Sequence, residues 1–151
     1  MHLLDTVVIS ELSRRQPNRH VTAWLASVAP SDLHISVVTV SEIERGIERQ
    51  RGVDPAYAVR LEGWLGGILH GYADRVLPLT VKVARRWGRL AAQVGHSGLD
   101  LAIAAPALEH GLTVVTRNVS HFAPTGVAIV DPFRHGLQDE RSAFRPRPRR
   151  R

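Results

Sequence analysis

The sequence predicts an α/β fold of three layers, with helices on both faces of a central, mainly parallel sheet of four to five strands. Leu112, Val114 and Val115 form a short, largely β-branched run without polar alternation, the pattern of a strand covered on both faces. Just before it, Leu99–His110 reads as a helix stopped at Gly111, a residue that takes the left-handed conformation ending many helices. Elsewhere, too, candidate strands alternate with helical segments, which implies right-handed crossovers and a parallel sheet.

Taken in order, Leu3-Leu4 is a first short strand, and Val7–Arg14 a helix broken by Pro17-Asn18. Val21–Val28 resumes helical spacing, and Pro30-Ser31-Asp32 is a turn. Leu33–Val38 reads as a second buried strand, followed by a helix from Val40 to Gln50. Asp54 caps and Pro55 opens a long helix to His70, Pro being favoured at the first helical position. Arg75–Leu77 is a third strand. Val81, Ala84, Trp87, Ala91 and Val94 recur at intervals of three or four, one face of an amphipathic helix. Pro106 conflicts with its helix, because a central Pro costs about 3 kcal/mol unless the helix kinks. After the Leu112–Val115 strand comes a polar turn, Thr116-Arg117-Asn118, and Val127–Val130 is the last strand.

Composition sets outer bounds. A chain of 151 residues suits one domain. No apolar run approaches 18 residues, so no membrane span is expected, and the start MHLLDTVVIS, interrupted by Asp5, does not read as a signal peptide. The absence of cysteine excludes disulfides and thiolate metal sites and suits a cytoplasmic protein. The formal charge is +6, yet seven Arg against Asp139 and Glu140 fall between Arg134 and Arg151. The remaining 133 residues hold 13 basic and 12 acidic side chains. We therefore expect a nearly neutral folded domain over residues 1–133 and a basic, disordered tail over 134–151.

Three acids occupy equivalent places: Asp5 after the first strand, Glu42 opening the helix after the second, and Asp100 opening the helix before Leu112. Each has a structural role open to it. Thr39–Glu42 fits a capping box, Ser97–Asp100 resembles one, and Asp5 can cap the helix that follows. In an open parallel sheet, however, ligands bind outside the carboxyl ends of the strands, where the acids and the Thr116–Asn118 turn can share one crevice. Converging carboxylates raise one another's pKa, a conflict that a divalent cation removes. Hard oxygen ligands suit Mg²⁺ or Mn²⁺, ions that activate water and stabilise the charge of a phosphodiester under attack. Other chemistries fit less well. No phosphate-binding glycine loop occurs, Val7 stands where a phosphoaspartate hydrolase wants a second carboxylate, and Ser10, Ser36 and Ser97 lack a nucleophile elbow.

In its motifs the chain resembles the PIN-domain ribonucleases, in particular the VapC/FitB-like toxins of toxin–antitoxin pairs. The resemblance runs from Leu3 to Pro132 through LLDT (Leu3–Thr6), SEIERG (Ser41–Gly46), GLDLAIAAPALEHGLTVVTRN (Gly98–Asn118), His121-Phe122 and Asp131-Pro132. It implies an α/β/α fold, Mg²⁺- or Mn²⁺-dependent endoribonuclease activity on RNA, a homodimer, and neutralisation by a cognate antitoxin. The family's acidic positions fall on Asp5, Glu42 and Asp100. Many members carry further acids where this chain has Asn118 and His121, so a second metal position is not expected to be strong. Asn118 is retained as a catalytic position, with Thr6, Thr116 and His121 in support. The alternative reading is a catalytically weak RNA- or antitoxin-binding module. Trp64, Leu65, Ile68 and Leu69 are expected either in the core or in a groove for an antitoxin helix.

Overall fold

Residues 1–134 are described by the computed structural model; the tail expected from sequence lies, from residue 135 on, outside the described residues. Five strands form one sheet: β1 (His2–Leu4), β2 (Leu33–Ser36), β3 (Val76–Leu77), β4 (Thr113–Val115) and β5 (Ile129–Val130). They lie side by side in the order β3-β2-β1-β4-β5, and every neighbouring pair is parallel. The chain thus steps outward from β1 to β3 on one side and returns to the other side of β1 with β4. That reversal puts a topological switch point between β1 and β4, the place where open α/β sheets form a crevice.

Seven helices among the described residues cover the sheet: α1 (Thr6–Glu11), α2 (Arg19–Ser27), α3 (Val37–Arg51), α4 (Pro55–Gly71), α5 (Val81–Val94), α6 (Leu99–His110) and α7 (Val119–Phe122). Period-two alternation in the strands separates two cores. Leu3 and Val114 point to one face, where they pack with Ala102–Ala105 of α6, Val83 and Leu90 of α5, and Phe122. Leu4 and Val115 point to the other, where they meet Val8, Ile9, Val21, Ile43, Ile47, Ala58 and Leu65 from α1 to α4. This is the expected three-layer α/β/α arrangement.

Several boundaries differ from the sequence expectation for physical reasons. β2 ends at Ser36, whose hydroxyl accepts the Thr39 N–H at 3.2 Å and caps α3. Val37 and Val38 are therefore helical, and the capping box expected at Thr39–Glu42 does not form; Glu42 lies in the second turn. The cap of α6 is Gly98, with no side-chain hydrogen bond, so Asp100 belongs to no capping box either. α1 closes at Glu11 instead of Arg14, and β5 begins only at Ile129. α6 runs on through Pro106 with Leu101–Ala107 all buried, so packing on all sides holds a helix that local propensity would interrupt. Gly111, at φ 66°, ends it in the left-handed conformation.

Candidate active site

Three strand ends and two helix starts bring the acids together. Asp5 follows β1 directly and is 3% exposed. Its backbone N–H donates to the Val115 carbonyl at 3.0 Å, tying the residue to the end of β4. One carboxylate oxygen accepts the Thr6 N–H at 2.8 Å; the other accepts the Thr116 hydroxyl at 2.7 Å. Thr116 is fully buried and in turn accepts the Asn118 N–H at 2.9 Å. Asp5 does cap α1, as its structural role allowed, but the cap uses only one of its two oxygens.

Burial raises the pKa of Asp5 above its ordinary value, and the negative charge of Asp100 adds to this; the hydrogen bonds from Thr116 and Thr6 and the nearby His121 oppose it. Glu42, half-buried on α3, is raised by burial and then by the charges of Asp5 and Asp100, with Thr6 and Arg45 opposing. The three carboxylates therefore feel one another. Among the described residues, however, no three His, Asp or Glu side chains stand close enough as placed to enclose an ion. The donor chemistry nevertheless fits a hard divalent cation. Three mutually repelling carboxylates share a crevice with the Thr6 hydroxyl, a buried oxygen with no hydrogen-bond partner of ordinary geometry.

The PIN domain family matches residues 2–123 of this sequence. The chain belongs to the PIN-domain family. It is 35% identical to the toxin FitB of Neisseria gonorrhoeae over 147 residues, covering 88% of this chain and 99% of FitB. It is 36% identical to the VapC ribonuclease Y4jK of Sinorhizobium fredii over 143 residues, with 88% and 98% covered. Among solved structures, FitAB bound to an IR36 DNA fragment superimposes with a TM-score of 0.75 at 34% identity, covering 91% of this chain and 99% of that one.

Within this PIN domain the remaining positions sort by contact. His121 is exposed, and its Nδ1 lies 3.0 Å from an oxygen of Asp100, so it engages that acid and not Asn118. Asn118 stands at the start of α7, makes no side-chain cap, and joins the cluster only through its backbone N–H. Sequence reasoning missed Arg45, one helical turn beyond Glu42 and beside its carboxylate, a relation that i, i+3 spacing on α3 signals. It also missed His96 and Ser120, which line a cavity with Asp100 and His121; their loop positions carry no periodic signal. Of the apolar residues assigned to a groove on α4, Leu65 is core, and Trp64 and Ile68 pack against it. Only Leu69, together with Val59, stands exposed.

Proposed function

We propose that this PIN domain is the toxin of a toxin–antitoxin pair and an endoribonuclease that hydrolyses RNA phosphodiester bonds with a divalent ion, Mg²⁺ or Mn²⁺. The observation that carries this reading is the meeting of Asp5, Glu42 and Asp100 at the switch point between β1 and β4. The printed names of the relatives, a FitB toxin and a VapC ribonuclease, support it.

Asp5 and Asp100 would hold the ion directly, and Glu42 a bound water or a weaker second ion. When bound, the ion lowers the pKa of a water and offsets charge on the phosphate. The chain's own groups set the geometry. Thr116 and the Thr6 N–H fix both oxygens of Asp5 in one orientation. His121 holds one oxygen of Asp100 and leaves the other free. Asn118 adds no charge, so the acids sum to a formal −3, suited to one ion more than to two.

Val37, Leu79 and Leu99 are exposed around an apolar cavity of about 260 Å³ floored by Trp87 and Ala102. This surface supports a homodimer; exposed Val59 and Leu69 on α4 support a helix of the cognate antitoxin there. No helix among the described residues is long and apolar enough to cross a membrane, and the lack of cysteine is compatible with a cytoplasmic site of action. Neutral Asn118 favours the second reading, a PIN domain that binds RNA or antitoxin and cuts little.

Cleavage of RNA by the purified protein separates the two. Mg²⁺ or Mn²⁺ should support cutting and EDTA should stop it. Asp100→Asn, which keeps the shape and removes the charge, should abolish cutting while melting unchanged. Undiminished cleavage in the variant or in the chelator would overturn the mechanism.

A further inference from the structure

Beside the acids lies a second cavity of about 260 Å³, lined by His96, Asp100, Ser120, His121 and Pro124. Neither Asp5 nor Glu42 lines it. It is smaller than the roughly 300–1,000 Å³ of pockets for drug-sized ligands, a scale suited to one sugar of a nucleic-acid strand.

The hydrogen bonds at its edge fix what its two imidazoles offer. His96 Nδ1 accepts the Gly98 N–H at 3.1 Å. That nitrogen carries no proton, so Nε2 carries it and is a donor. His121 Nδ1 faces an oxygen of Asp100 at 3.0 Å. A carboxylate only accepts, so here Nδ1 carries the proton, and the neutral ring presents Nε2 as an acceptor. The two rings thus expose opposite polarities, with the Ser120 hydroxyl between donor and acceptor chemistry. Asp100, itself negative and partly occupied by His121, disfavours a bare anion in this cavity.

A donor and an acceptor set together match a hydroxyl, which is both. The 2′-hydroxyl is also the group by which a protein tells RNA from DNA. We propose that His96 and His121 read the 2′-hydroxyl of the ribose next to the scissile phosphate, making this cavity the ribose-specificity subsite of the nuclease. The inference rests on the reading of this chain as an RNA-cutting PIN domain. His121 then has two parts: a positioning residue for Asp100 through Nδ1, and a sugar contact through Nε2.

Fluorescence anisotropy at pH 8, where imidazoles are neutral, tests it. The probes are end-labelled, mixed-sequence oligoribonucleotides and oligodeoxyribonucleotides of equal length, with Ca²⁺ present. The wild type should prefer the ribo-oligomer roughly tenfold, the worth of one good hydrogen bond at an open site. His96→Ala and His121→Gln should each bring the ratio toward one by weakening RNA binding, with DNA binding and melting unchanged. A merely structural role would shift both ligands together. Equal affinity for RNA and DNA in the wild type, or an unchanged ratio in both variants, would overturn this inference and leave the nuclease reading standing. A wild type that binds no RNA would overturn both.

Discussion

Asp5 is a buried acid held in its charged geometry by two hydrogen bonds, from Thr116 and from the Thr6 N–H. Burial outweighs those bonds, so its native pKa stands above the ordinary value of 3.8. The sign of the linkage follows. A carboxyl whose native pKa is raised keeps its proton better folded than unfolded, so without metal stability falls as pH rises from about 3.8 through the raised native value. Asp5→Asn cannot titrate and also relieves Glu42, whose pKa Asp5 raises. In EDTA, urea denaturation should show the wild type losing stability across that window and the variant losing less. Equal slopes would show that the buried charge carries no strain. The acids were legible in the sequence because each stands at a predicted strand end or helix start. The Thr116 bond that orients Asp5 spans 111 positions, and no local pattern reports a contact of that range. Likewise, sequence left His121 free to face solvent or Asn118, whereas proximity to Asp100 is a consequence of α7 packing against α6.

At the scale of elements, the helix that carries Asp100 is braced at its far end. Glu109 of α6 sits against Lys82 at 2.7 Å and Arg86 at 2.6 Å, both on α5. Hydrogen bonds from Lys82 and Arg86 hold its pKa down to about 2. A depressed acid stabilises the fold above its unfolded pKa and stops doing so as pH falls through the native one. The wild type should therefore exceed Glu109→Gln in stability at pH 6, and the difference should close between about 4.5 and about 2. A gap independent of pH would assign the effect to packing. The same scale shows where reading the sequence failed. In Leu33–Val38 the aliphatic run crosses a strand–helix boundary, and residue type alone does not mark it. The mark is Ser36, whose hydroxyl starts α3 three residues earlier than the apolar pattern suggested. Pro106 misled in the opposite direction, since its helix is buried over seven successive residues and tolerates a missing hydrogen bond.

For the molecule as a whole, alternating strands and helices sufficed to give three layers and a parallel sheet. The lateral order β3-β2-β1-β4-β5 was not legible, because short strands carry no record of their neighbours. That order makes the account functional: it sets the end of β1 beside the end of β4 and directs α3 and α6 toward the same crevice. A nearly neutral body with an acidic crevice has little means of its own to hold a phosphate. The central claim is thus that Asp5, Glu42 and Asp100 form a divalent-cation site. Isothermal titration of Mn²⁺ into the metal-free wild type and Asp100→Asn tests it most directly. The account predicts one tightly held ion in the wild type and its loss in a variant that melts at the same temperature. No binding to the wild type, or equal binding to both, would contradict it.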